Sequence, residues 1–81
     1  MKNLDTDIYK LMKAITQAEP TKHEYENACR YRFDAKWCVV DIVQEELPNE
    51  EYIYHTFVDG SYIKPSDVQD AIWKLIRKKE G

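Results

Sequence analysis

The run Trp37-Cys38-Val39-Val40-Asp41-Ile42-Val43 constrains this chain more than any other stretch. It is apolar, rich in β-branched residues and lacks helical spacing. Gln44-Glu45-Glu46-Leu47 extends it and brings in carboxylates. Residues 37–47 therefore read as the central strand of a small antiparallel sheet, with the remaining segments pairing with it or packing on it.

Residues 27–33 alternate, with Cys29, Tyr31 and Phe33 on one side and Ala28, Arg30 and Arg32 on the other. Asp34-Ala35-Lys36 reads as the turn of a hairpin into the central strand. A two-residue loop at 34–35 sets Tyr31 across from Cys38 and Cys29 across from Val40. A slip of one residue would set them against Trp37, Val39 and the charged Asp41 instead. The preferred register gathers Cys29, Tyr31, Phe33, Cys38, Val40 and Ile42 on one apolar face and makes the two thiols diagonal neighbours. Arg30, Arg32, Trp37, Val39, Asp41 and Val43 then share the opposite face.

Leu47-Pro48-Asn49-Glu50 carries turn residues. Residues 51–58 are strong strand formers, with Ile53, His55 and Phe57 on one face and Tyr52, Tyr54, Thr56 and Val58 on the other. Asp59-Gly60 is a hairpin signal, and residues 61–63 read as a short fourth strand. Residues 5–19 form a helix, with Asp5 or Thr6 as cap and Ile8, Leu11, Met12 and Ile15 as its apolar stripe, stopped by Pro20. Residues 20–26, His23 among them, have no period and read as a loop. Ser66-Asp67-Val68-Gln69 fits a capping box for a second helix over 66–79, with Val68, Ala71, Ile72, Leu75 and Ile76 as its stripe and Trp73 beside it.

These elements predict one α+β domain over residues 1–81. It has two layers, an antiparallel sheet of three to four strands flanked by an N-terminal and a C-terminal helix, in the order α-β-β-β-(β)-α. Both stripes are expected on one sheet face, leaving the other open. The alternative, one helix on each face, would hide Trp37 and Val39.

Charge is where composition matters. The net charge is only −3, but residues 41–70 carry eight acidic side chains against one basic, and residues 71–81 carry four cations against one carboxylate. Tyrosines are six of the ten aromatics, and Tyr suits interfaces because it joins a large apolar body to a polar tip. Met1-Lys2-Asn3-Leu4-Asp5 is followed by no apolar signal region and no stretch is long enough to span a bilayer, so a cytoplasmic, non-membrane chain with reduced cysteines is expected.

The residues predict a non-enzymatic chain. There is no P-loop, dinucleotide fingerprint or G-x-S-x-G. Cys38 and His55 on adjacent strands are the one thiol–imidazole candidate. Cys29, Cys38 and His55 would lack a fourth ligand for zinc. Glu45-Glu46 and Glu50-Glu51 are sequence neighbours, which a strand points to opposite faces. No catalytic residue, metal or cofactor is assigned. The expected role is a protein-binding module whose partner presents a basic surface. Asp41, Glu45, Glu46, Glu50, Glu51 and Asp59, interleaved with Tyr52 and Tyr54, form the candidate contact. Carboxylates would steer and aromatics would anchor. Small acidic inhibitors of nucleic-acid-handling or defence proteins, many of them phage- or mobile-element-encoded, occupy phosphate-binding grooves in this manner. A homodimer is a further expectation for the half-apolar open face. The alternative is nucleic-acid binding through Arg30, Arg32, Trp37 and Val39. Helix, three strands, helix is also the element order of double-stranded-RNA-binding domains, but here Asp67 and Asp70 open the second helix and would repel phosphate.

Overall fold

The computed structural model describes residues 4–80; the sequence reading of Met1–Asn3 lies outside them, as does Gly81. Helix α1 spans Thr6–Thr16 and helix α2 Val68–Glu80. Between them lie five strands, β1 (Thr21–Glu24), β2 (Ala28–Ala35), β3 (Cys38–Glu46), β4 (Tyr52–Val58) and β5 (Ser61–Ile63), in a meander of order β1-β2-β3-β4-β5. Every neighbouring pair is antiparallel, and β3 is central as its composition required.

Asp5 caps α1, its Oδ1 accepting from the backbone N–H of Asp7 at 3.0 Å and Ile8 at 3.2 Å. The helix stops earlier than Pro20 alone implies. Gln17 turns left-handed at φ 57°, and Thr16 folds its hydroxyl back to the Met12 carbonyl and accepts from Ala18 N–H. The second helix also opens differently. Pro65–Asp67 forms a 3-10 turn, with Pro65 supplying the preset φ of a first helical position. Ser66 is inside that turn, so the capping box does not form, and α2 proper begins at Val68.

The structure adds a strand and moves a turn. Residues 21–24 are not loop but the edge strand β1, pairing Thr21 with Arg32 and Glu24 with Cys29. All four of its residues are exposed, so it carries no hydrophobic alternation and is held by its backbone ladder. The β2 strand continues through Asp34-Ala35, and Lys36-Trp37 makes the turn. Tyr31 therefore faces Ile42, Phe33 faces Val40 and Cys29 faces Gln44. The expected partners were wrong by four positions, yet the same side chains share a face, because an even shift preserves side-chain parity. Cys29 and Cys38 are not diagonal neighbours: Cys38 pairs with Ala35, and the two thiols sit at opposite ends of the ladder, about 20 Å apart at roughly 3.4 Å per residue.

The core lies between that face and the helices. Phe33, Val40 and Cys29 are fully enclosed, joined by Tyr31, Cys38 and Ile42 from the sheet, Leu4, Met12 and Ile15 from the N-terminal segment, and Leu75 from α2. Both helices cover one face, and the other is uncovered. Trp37 is not on the uncovered face; it packs against the core cluster from the β2–β3 turn. Trp73, expected to widen the α2 stripe, is 54% exposed.

Candidate functional site

The antiparallel meander decides which charged residues meet. It places the β1–β2 and β3–β4 turns side by side at one end of the sheet: Glu46 N–H donates to the Asn27 carbonyl at 2.8 Å, and Asn27, Glu46, Leu47, Pro48 and Glu50 line one shallow depression. Glu24, Glu26, Glu46, Glu50 and Glu51 are exposed there, with Glu45 half-buried. No lysine or arginine occurs in residues 24–29 or 44–54. The turn itself is firmly built. Glu50 N–H donates to the Leu47 carbonyl at 3.0 Å, Leu47 N–H to the Glu51 carbonyl at 2.8 Å, and Glu51 N–H to Asn49 Oδ1 at 3.2 Å.

The opposite end gathers cations, with Asp59 among them. It holds Lys36 in the β2–β3 turn and the last turn of α2, with Arg77, Lys78 and Lys79. Lys79 Nζ donates to the Ala14 carbonyl at 2.8 Å, joining the C-terminal ends of the two helices. Burial and the nearby Asp59 raise the Cys38 thiol above its ordinary value, and Lys78 opposes them.

The candidate contact divides accordingly. Glu45, Glu46, Glu50, Glu51 and Tyr52 belong to the acidic end. Asp41 does not: it is buried under Arg32, which donates to it twice, Nε to Oδ1 at 2.8 Å and Nη2 to Oδ2 at 3.2 Å. This pairing raises the Arg32 guanidinium further above its ordinary value. Asp59 lies at the far end of β4, about 25 Å from Glu51. With φ 51° at Asp59 and 85° at Gly60, the two form the tight turn predicted for Asp-Gly, and the Asp59 carboxylate accepts from Val39 N–H at 2.9 Å. Tyr54 faces the helices, not solvent.

On the alternative surface, Arg30, Arg32 and Val39 share the uncovered face with Val43, His55 and Phe57, while Trp37 has left it. Phe57 and Tyr62 meet edge to face at 5.6 Å, and His23 lies 4.6 Å from Tyr25. His55 Nε2 is 3.1 Å from Glu45 Oε1. Cys38 and His55 sit on opposite sheet faces, so they form no thiol–imidazole pair. Among the described residues no three His, Cys, Asp or Glu side chains gather as metal ligands.

Sequence reasoning overlooked Glu24, Tyr25 and Glu26 as members of the acidic end. Their Glu-Tyr-Glu pattern was visible, but only the unrecognised β1–β2 hairpin brings it beside residues 46–51. No described helix is long and apolar enough to cross a membrane. Comparison of the chain with protein-family models, curated proteins and solved structures finds no match.

Proposed function

We propose that this chain is a non-enzymatic protein-binding module that presents its acidic sheet end to a basic surface, in the role of an inhibitor of a nucleic-acid-handling or defence protein. The observation that supports this most is the side-by-side placement of two turns that expose Glu26, Glu46, Glu50 and Glu51 with no lysine or arginine between them, next to Glu24, which Lys22 pairs at 3.3 Å. Tyr25, 50% exposed, and Ile53, 41% exposed, flank the carboxylates and supply apolar anchorage. The cations at the other end orient the molecule in a partner's field, so the acidic end leads during encounter.

The test is capture of binding proteins from a nuclease-treated native lysate, with wild type and Glu46→Lys/Glu50→Lys/Glu51→Lys in parallel. These side chains are exposed, so the triple variant keeps its melting temperature. The expected result is a nuclease-resistant partner with a basic groove, retained by wild type and lost by the variant. Equal capture by both proteins would remove the acidic end from the contact.

The nucleic-acid reading keeps one supporting observation. Arg30 has no ion pair among the described residues and borders a depression with Tyr25 and Phe57 on the uncovered face. Arg32 is neutralised by Asp41, and Glu45 lies on the same face, which opposes phosphate. Salt-sensitive quenching of tyrosine fluorescence by a short oligonucleotide, lost in Arg30→Ala, would favour that reading over the first.

A further inference from the structure

The helices cover β3–β5 incompletely. They lie side by side, and between them is a cavity of about 320 Å³, floored by Ile42, Tyr54 and Thr56 and walled by Ile8 of α1 and Val68 and Ile72 of α2. None of its lining residues is charged. Buried Leu75 lines it on α2, and Lys79 Nζ bridges from the end of that helix to the Ala14 carbonyl. Unfilled apolar space forfeits dispersion contacts that an occupant would restore.

We propose that this cavity is a binding site for an uncharged, apolar small molecule with one hydrogen-bonding oxygen at its end. Three observations select that class. The volume holds about ten heavy atoms at ~30 Å³ each, at the small end of the ligand-pocket range. This is too little for a partner helix about 10 Å across. The polar features of the lining are the Tyr54 and Thr56 hydroxyls, enough to orient one oxygen. Finally, the lining offers no cation to an anionic head group, whose burial there would go uncompensated. Burial, Asp5 and Tyr52 together raise the Tyr54 hydroxyl above its ordinary value, so it stays protonated and donates.

The test is an amide-resolved NMR titration of the whole chain with 1-decanol and, separately, with decanoate at neutral pH. Decanol is expected to saturate at one per chain, with shifts confined to α1, α2 and the cavity-lining residues of β3, β4 and β5. Decanoate is expected to bind at least about tenfold more weakly because its carboxylate would lose hydration in a lining that holds no cation. Tyr54→Phe leaves the cavity intact and weakens decanol about fivefold, the loss of one hydrogen bond. Ala71→Phe fills the cavity from α2 and abolishes binding. Should that variant misfold, Tyr54→Phe decides alone. Equal affinity for alcohol and carboxylate, unchanged affinity in Tyr54→Phe, or shifts centred on the uncovered face would overturn the proposal. So would a dimer in sedimentation whose amides do not respond to decanol, because a second copy would then fill the cavity.

Discussion

Asp41 is a carboxylate in the middle of a strand, buried although its sheet face is uncovered, because Arg32 lies over it. A forked pair of this kind costs little while both members are present and much when one is removed, since the carboxylate left behind is under-solvated. Arg32→Ala is expected to destabilise the fold more than Arg30→Ala, although both arginines leave the same face of the same strand; chemical denaturation of the two variants checks the ordering. The helix side of the sheet makes a second residue-scale prediction. Cys38, Tyr31 and Tyr54 all have proton affinities raised above their ordinary values, in each case chiefly by burial. A group raised in this way holds its proton more tightly folded than unfolded. Its stabilisation is complete below the unfolded value and is lost as pH rises towards the folded one. With ordinary values of 9.0 for the thiol and 10.0 for the phenols, the melting temperature is expected to fall above about pH 9. In Cys38→Ala the decline begins nearer pH 10, the tyrosine value alone. A melting temperature unchanged between pH 8 and 11 would refute the assignment.

At the scale of elements, the two helices are unequal partners. Helix α1 buries Met12, Ile15 and Thr16 and carries its own cap, whereas α2 buries only Leu75 and opens through an uncapped 3-10 turn. Amide exchange is therefore expected to be faster in α2 than in β3. Leu75→Ala is expected to cost about 2–3 kcal/mol, and Val68→Ala, half-buried at the cavity wall, well under half of that. Denaturant melts of the two variants test the contrast. The edge strand β1 works by a different physics. Its side chains are all exposed, so Thr21→Ala and His23→Ala are each expected to change stability by less than ~0.5 kcal/mol. This is the signature of an element specified by its neighbour's open backbone groups, which β2 would otherwise present unpaired.

Over the whole molecule, the meander gathers glutamates at one end and leaves both signs of charge at the other. Glutamates lie at one end and the α2 cations at the other, along a body 42 Å in its longest dimension. The same topology separates the two buried thiols. Oxidants are expected to form no intramolecular disulfide, and a thiol reagent is expected to titrate both cysteines in denaturant while reacting slowly with the native protein. Rapid native reaction of either would contradict their burial.

The sequence by itself determined the element types and the inward-facing side chains. Alternation at Cys29, Tyr31 and Phe33, and at Cys38, Val40 and Ile42, defines a buried face whatever the register. Spacing at Ile8, Met12 and Ile15 does the same for α1. It did not determine register, because hydrophobic parity is blind to a shift of an even number of residues. Nor did it disclose β1, whose side chains are all exposed and show no hydrophobic alternation. Tertiary structure alone decided that Trp37 closes the core from a turn, that Asp41 is withdrawn beneath Arg32, and that Glu24 and Glu26 stand beside Glu46, Glu50 and Glu51. Each of these depends on pairing between strands distant in sequence, where backbone geometry rather than local propensity selects the neighbour.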